Sequence, residues 1–452
     1  MKRAFLFFVL IIGVSIFSFS QETIPPLLKI DFPLFDLPYQ IDAMNTAGHG
    51  FFSSYANPSM AQSLAITSDM ISSFHYGMRK FYDLSDMNVI LKNVIFYAGI
   101  ILGDYLLSLS PFGSISWLHE EYHRAVMSRY GVNSFNTVYV FDNKVAHVTD
   151  EDLARFKAES PADFIRMHSS GIEGSYLLVD TLQKNNFFYN KKRNFFSELD
   201  IVPLYLVIHI SDHIYVMNPD NLDERSKRET TIAERDFTGQ DPIGWVYDLF
   251  RPNEPYSARG IHPTGTGIDR YRQLDDLTAQ ERTYFKKVGY WQFVRYISPM
   301  VFGFRSLPLG NTDIRWNFSF SHFLASFGTD LSFKVFLNIN KFNFIAAYHN
   351  YQNYEHTFPA IEIEMIDYQV QIGNFSMYLS PKIMIGVQPK RQNFFTSEAE
   401  FFGLIGTRAD FHINKHLFPY LEITAKTNGW VAGNEFLEKN IKLILGVSAR
   451  FY

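Results

Sequence analysis

IKLILGVSARF, the stretch from Ile441 to Phe451, has apolar side chains at every second position. Strict alternation with a period of two is typical of a β-strand whose two faces differ. The stretch DLSFKVFLNIN, from Asp330 to Asn340, has the same period. We count about eight such runs after residue 312, joined by polar turns, at 314–323, 329–339, 341–352, 357–370, 375–388, 397–413, 417–428 and 439–452. This pattern predicts an antiparallel β-structure of about eight strands over residues 312–452.

Several of these runs are as long as a tilted strand needs to be to cross a bilayer, which takes about 9–11 residues. The chain also ends in the aromatic pair Phe451-Tyr452. In both respects the tail resembles a bacterial outer-membrane β-barrel. The resemblance implies a C-terminal barrel in contact with outer-membrane lipid. A soluble antiparallel barrel or sandwich would have the same alternation, with the apolar face turned inward.

Composition limits the classes of function. The 452 residues are 47% apolar and 19% charged, with 45 Phe and 26 Tyr, which excludes a disordered chain and suits a membrane surface. The net charge of -5 gives no basic surface for nucleic acid, so no nucleic-acid partner is expected. With no cysteine in the chain, any metal must bind to His, Asp and Glu.

The N-terminus begins MKRAFLFFVLIIGVSIFSFS, a short basic head followed by an apolar run and small residues. This layout predicts a signal peptide at 1–20 and an exported protein, and the alternative is an uncleaved anchor helix. Residues 21–60 are rich in Pro and Gly and are expected to form an extended arm.

Residues 61–305 are expected to form a mostly helical domain, so that the fold class is α+β. Helical spacing of apolar residues predicts helices at 61–83, 161–184, 200–217 and 277–303. The apolar segment 87–110 is interrupted by Lys92 and Asp104, which favours a buried helix over a membrane span. The polar stretch after Met217 predicts an exposed loop over 218–262.

One motif in this domain suggests chemistry. In SWLHEEYHRAV, Ser116 to Val126, His119 and His123 are four residues apart and therefore share one face of a helix. Two imidazoles on one face can bind one metal ion, and Glu120 lies about 100° round the axis. The motif resembles that of the HExxH zinc metallopeptidases, or zincins. The resemblance implies zinc as cofactor, Glu120 as general base and a protein or peptide as substrate. Glu121 and Arg124 are expected on the solvent side.

A catalytic zinc site needs a third protein ligand. Glu173, in SSGIEGSYLLVD, follows the motif by fifty residues, as the third ligand does in the glutamate class of zincins that the motif resembles. The usual ExxxD or ExxxA continuation is absent, since Leu177 is the fourth residue after Glu173. Asp220, in Asn218-Pro219-Asp220, and His213, of the pair His209 and His213, are the alternatives, and His168 is a candidate helper.

Together these features predict an exported zinc metallopeptidase that cleaves envelope proteins or peptides and is held in the outer membrane of a Gram-negative-type bacterium by its C-terminal barrel. One alternative is a non-enzymatic outer-membrane barrel whose helical part is a plug or assembly domain. Another is a polytopic inner-membrane protease with spans at 89–110 and 201–217.

Overall fold

The computed structural model describes residues 25–42, 56–136, 145–189, 199–217, 230–373 and 375–452. The predicted signal peptide and Asp220 lie outside this part. The α-helices are α1 (Met60–Leu84), α2 (Val89–Ser108), α3 (Ile115–Ser128), α4 (Asp150–Glu159), α5 (Pro161–Tyr189), α6 (Val202–Met217), α7 (Asp241–Phe250) and α8 (Ala279–Trp291). The predicted last helix ends at Trp291, and the chain continues as a 3-10 segment (Gln292–Ile297 and Pro299–Phe302).

The strands are β1 (Leu28–Leu37), β2 (Phe135–Asn136), β3 (Val145–Ala146), β4 (Leu307–Pro308), β5 (Arg315–Ala325), β6 (Gly328–Ile339), β7 (Phe342–Gln352), β8 (Thr357–Met365), β9 (Tyr368–Ile372), β10 (Phe375–Pro389), β11 (Ala399–Phe411), β12 (Leu417–Lys426) and β13 (Asn440–Phe451). Eleven of them form one antiparallel sheet in the order β1-β13-β12-β11-β10-β8-β7-β6-β5-β4, with β9 paired to β10. The mixture of helices and an antiparallel sheet is as predicted, but the sheet has eleven strands instead of about eight, and its described residues do not form a closed barrel.

The predicted N-terminal arm contains a strand. β1 pairs with β13 along most of its length, from Leu28 opposite Phe451 to Leu37 opposite Leu443. Its sequence LKIDF alternates apolar and charged residues, which is the same period-two signal as in the tail. The segment is extended, as expected for the arm over 21–60, but it is a paired strand of the sheet, which the surrounding prolines obscured.

The two faces of the sheet differ in polarity. On β13, Lys442, Ser448 and Arg450 are buried, whereas the alternating residues Ile441 and Leu445 are 70% and 39% exposed. The other long strands alternate in the same way. Their exposed apolar residues include Phe333, Tyr348, Ile361, Ile363, Ile383, Ile385 and Ile423. The apolar row is thus the outward face, and the inner face carries polar and charged side chains together with buried apolar ones such as Phe336, Tyr351 and Phe402.

α5 runs along this polar inner face. Asp180 accepts a hydrogen bond from Ser321 of β5 at 2.8 Å and pairs with Lys334 of β6. Farther along, Lys184 pairs with Glu364 at 2.5 Å, and Tyr189 donates to Asp367 at 3.0 Å. A cavity of about 400 Å³ remains between α5, α1 and the sheet, and its lining includes charged residues of both signs, among them Asp31, Lys334 and Glu362.

Helical elements cover both ends of the sheet. The edge of β1 is covered by α1, where Asp69 accepts from the Asp31 backbone N–H at 2.6 Å and Gln62 donates to the Pro33 carbonyl at 3.2 Å. At the other end, the Ser298 hydroxyl donates to the Phe318 carbonyl at 3.0 Å, so that the 3-10 segment lies along β5. No strand pairing joins β1 to β4 or β5 in the described residues, so the sheet is not closed by its own hydrogen bonds.

α2 differs from the expectation of a buried helix. Only Phe96 and Ile100 are buried, where they pack on α1. Its polar residue Asp104 faces α1 and bonds to His75 at 2.8 Å. α2 is the one helix in the described part of the chain that is long and apolar enough to cross a membrane, and just 11% of its apolar window is buried.

Candidate metal centre

α3 presents both histidines of the motif to one point. The helix begins after Ser114, whose hydroxyl accepts from the Trp117 N–H at 3.0 Å. The Nε2 atoms of His119 and His123 lie 2.9 Å and 3.2 Å from the same oxygen, Oδ2 of Asp241. In the described part of the chain, these three residues are the group whose ligand atoms lie close enough to hold a metal ion, all within 4.8 Å of one another.

Asp241 is the first residue of α7, in the middle of the segment predicted as an exposed loop. Pro242 follows it at the first turn, a position that proline favours. The backbone N–H of Asp241 donates to the Tyr215 hydroxyl of α6 at 3.1 Å. The prediction of an exposed loop over 218–262 was wrong for α7. The sequence signal that could have predicted this helix is the Asp-Pro start followed by the apolar run IGWVYDLF.

The ring of His123 is fixed by a hydrogen bond to α5. Its Nδ1 lies 2.5 Å from the backbone carbonyl of Met167 on α5, so Nδ1 carries the proton and Nε2 is free to act as a ligand. Burial opposes ionisation of Asp241, but the imidazoles of His123 and His119 hold the pKa of its carboxyl well below its usual range. When a metal ion displaces the protons on Nε2, the group offers it one carboxylate and two Nε2 lone pairs.

Gly171 of α5 keeps space beside the histidines. A Cβ at this position would stand 2.3 Å from His123 Nε2 and 2.5 Å from His119 Nε2. Any other residue would fill the place towards which both ligand atoms point. Glycine at this position therefore lets α5 pack closely against both imidazoles without reaching their Nε2 atoms.

A scan against protein-family models gives no match, and comparisons with curated proteins and with solved structures give none at a significant level. The chemistry of this centre therefore has to be argued from its own residues.

Glu120 lies next to the group without joining it. The residue is half-buried. Burial and the nearby carboxylates of Asp236 and Asp241 raise the pKa of Glu120 well above its usual range. A carboxylate near the ligand atoms that is not itself bound to them is the arrangement needed to take a proton from water.

Glu121 and Arg124 are not on a solvent side. Their side chains are 3% and 6% exposed and form an ion pair at 2.7 Å. Glu121 also accepts from Asn136, and Arg124 donates to the Ser134 carbonyl. The expectation of two solvated side chains was wrong, because the segment after α3 folds back over this face of the helix.

The structure does not bring Glu173 to the histidines. Its oxygens accept from Arg166 at 2.9 Å, from the Gly433 N–H at 2.7 Å and from Trp430 at 3.2 Å. Glu173 is two residues after Gly171, which is about 200° round the helix, so it points away from the two histidines. Asp241, which sequence reasoning missed, is the carboxylate beside the histidines.

His168 is part of a separate cluster. Its Nε2 bonds to Asp248 of α7 at 2.8 Å, and the same carboxylate pairs with Lys157 and Arg259, each at 2.6 Å. Burial opposes ionisation of Asp248, but Arg259, His168 and Lys157 hold the pKa of its carboxyl far below its usual range. All four side chains are almost fully buried.

The second histidine pair also lies elsewhere. The ring of His213 contacts Phe293 at a centroid distance of 4.1 Å, and that of His209 contacts Tyr296 at 5.7 Å. Both histidines face the 3-10 segment and are not members of the ligand group. Asp220, the other alternative for a third ligand, lies outside the described residues.

Proposed function

We propose that the protein is a zinc-dependent metallopeptidase, with His119, His123 and Asp241 as ligands and Glu120 as general base. One observation carries the proposal: two Nε2 atoms and one carboxylate oxygen converge beside the place that Gly171 leaves open. Ligand atoms around a tetrahedral zinc ion with ordinary bond lengths are about 3.3–3.5 Å apart, and the two His–Asp distances of 2.9 Å and 3.2 Å need only a small expansion.

The donor set favours zinc over calcium or magnesium. Two neutral imidazoles and one carboxylate suit a borderline-soft ion, whereas calcium and magnesium prefer oxygen ligands throughout. Three protein ligands leave a position for water or substrate, as in catalytic zinc sites.

A zinc ion held here would supply Lewis acidity to a carbonyl oxygen and to a water molecule. Glu120 takes a proton from the attacking water and passes it to the leaving amine. The Met167 carbonyl fixes the ring of His123, and the Tyr215 hydroxyl fixes the start of α7 and with it Asp241. The substrate is then a protein or peptide.

The two faces of the sheet support a place in the outer membrane. A soluble barrel buries its apolar row, but here that row faces outward and charged groups face inward, as in transmembrane β-barrels. We propose that the sheet is a barrel-like wall in contact with outer-membrane lipid. Export through the predicted signal peptide would bring the chain there.

A second candidate is a non-enzymatic outer-membrane protein with a helical plug or assembly domain. The observation that favours it is the passage of α5 along the inner face of the sheet, where Asp180 and Lys184 are bonded to strand residues and Tyr189 to Asp367, between β8 and β9. The plug and the enzyme are not exclusive, because the N-terminal half of α5 carries Gly171.

Three purified variants test the enzyme proposal against a pool of fluorogenic peptides. His119→Ala should lose both zinc and peptide hydrolysis, whereas Glu120→Gln should keep about one zinc per chain and lose roughly 10²- to 10⁴-fold in turnover. Glu355→Gln, at an exposed glutamate, is the matched control and should leave both unchanged. Wild-type turnover in Glu120→Gln would exclude the proposed base. A zinc-loaded wild type without hydrolysis of any peptide would favour the second candidate.

A further inference from the structure

The gap in the sheet between β1 and β5 is filled by helices in a fixed order. α1 lies against β1, and the 3-10 segment lies against β5. α6 connects the two. Before its first turn, Asp200 binds His75 at 3.2 Å and Arg79 at 2.8 Å, both from α1. On its other side α6 packs on the 3-10 segment through His213 and Phe293.

α6 has two faces of opposite character. One face looks towards the candidate metal centre, where the Tyr215 hydroxyl accepts from the Asp241 N–H and the Tyr215 ring lies 6.3 Å from that of His119. The other face carries Val207, Ile210 and Ile214, which are 61%, 47% and 57% exposed. Ser211 is the one polar residue exposed on α6, and no charged side chain is exposed there.

The neighbouring 3-10 segment continues this surface. Phe293 and Ile297 are 55% and 56% exposed. The exposed side chains of α6 and of the 3-10 segment are therefore mainly apolar, like those on the outward face of the sheet. Isolated exposed apolar residues are common in soluble proteins, but a continuous apolar surface of this kind marks an interaction site.

We infer that the outward face of α6 contacts lipid acyl chains, so that the membrane-embedded wall consists partly of sheet and partly of helix. The inference rests on the membrane placement proposed above. Its occupant is lipid because the surface continues the outward face of the sheet. The length also fits: 16 residues rise about 24 Å, close to the apolar band of about 25 Å in outer-membrane proteins.

The inference also accounts for how the sheet edges are covered. Unpaired strand edges are not tolerated in the hydrocarbon region, because no water is present to bond their backbone groups. Here the side chains of Gln62, Asp69 and Ser298 bond to edge groups of β1 and β5. Helices can therefore cover the edges of β1 and β5 where strand pairing is missing. In this arrangement the candidate metal centre lies about 10 Å, the diameter of one helix, from lipid.

The absence of cysteine in the chain makes a direct test simple, since each single-cysteine variant carries one label. Ile210→Cys and Ile214→Cys report on α6, Ile423→Cys on the outward face of β12, and Asp275→Cys, with a 99% exposed side chain, on water. Each is labelled with a small fluorophore and placed in phosphatidylcholine vesicles with brominated acyl chains. Iodide is the quencher from the aqueous side.

Labels at Ile210 and Ile214 should lose fluorescence in brominated vesicles to the same extent as the label at Ile423, and should be insensitive to iodide. The label at Asp275 should behave in the opposite way. Quenching of the α6 labels by iodide would overturn the inference, and protection from both quenchers would assign the face to a protein contact and overturn it too. If the α6 labels meet lipid and the label at Ile423 does not, the proposed placement of the sheet fails and the mixed wall of sheet and helix fails with it. If only the label at Ile423 meets lipid, the placement of the sheet stands and the inference about α6 is overturned.

Discussion

Two buried carboxylates on α7 have opposite surroundings. Asp241 and Asp248 are seven residues apart, about two turns, and so lie on the same face of the helix. Asp248 meets Lys157, Arg259 and His168. Asp241 meets two imidazole nitrogens, and no lysine or arginine in the described part of the chain lies within ion-pair distance of it.

The difference separates a structural cluster from a ligand group. Around Asp248 the chain itself supplies the cations that compensate a buried carboxylate. Around Asp241 it supplies two further electron-pair donors and a glycine that leaves room beside them. No lysine or arginine in the described part of the chain compensates this carboxylate; in the metal-free protein the two imidazoles do so, and a bound cation would take over that role. This is the physical basis of the metal proposal.

The largest effect on stability is expected at Asp248. Asp248→Asn should lower the free energy of unfolding of the metal-free protein by about 3–5 kcal/mol, because Lys157 and Arg259 would stay buried without a counter-charge. Asp241→Asn is the matched variant and should cost much less, since no lysine or arginine loses its partner. Denaturant unfolding in detergent micelles measures both. Equal losses would contradict the distinction between the two clusters.

The next effect concerns stabilisation by added zinc. At a free concentration about a hundred times Kd, a ligand that binds only the folded state adds about 2.7 kcal/mol. Gly171→Ala should lose this gain, because its Cβ would enter the space beside both Nε2 atoms. Gly77→Ala, a helical glycine on α1 with nothing within 4 Å, should keep it.

The measurement is the shift of Tm with and without zinc for both glycine variants. A full zinc response in Gly171→Ala would place the metal elsewhere. Loss of the response in both variants would point to a general effect of replacing helical glycines.

The smallest effect is on acid stability. The folded pKa of Asp248 lies below its unfolded value of about 3.9, so its contribution is complete above about pH 5 and is lost as the pH falls below 4. The unfolding free energy of the wild type should therefore fall more steeply between about pH 5 and pH 3 than that of Asp248→Asn. Parallel pH profiles of the two proteins would show that the carboxylate is not held by its cations.

The sheet could be predicted from the sequence to a large extent, because a period of two leaves a strong local signal. The strands after residue 312 lie within a few residues of the predicted runs, except that 357–370 is divided into β8 and β9, whereas β1 and β4 were not among the predicted runs. The period alone does not tell which row faces inward, since the choice depends on what the sheet packs against. The exposure of α2 was misjudged for a related reason: its apolar composition is the same in a core and at an exposed surface.

The candidate site could be predicted only where its residues are close in sequence. His119, Glu120 and His123 share one helix, so their spacing alone predicts how their side chains are arranged around the helix axis. Asp241 is more than a hundred residues away, and only tertiary packing brings α7 to α3. Glu173 was selected by analogy with a motif spacing, and its position on α5 relative to Gly171 decides against that choice.

The metal content of purified protein tests the central claim most directly. Wild type, Asp241→Ala and Glu173→Gln are incubated with zinc, freed of excess ion and analysed for zinc and protein. The account predicts about one zinc per chain in the wild type and in folded Glu173→Gln, and a loss in Asp241→Ala. A metal-free wild type, or wild-type zinc content in Asp241→Ala, would contradict it.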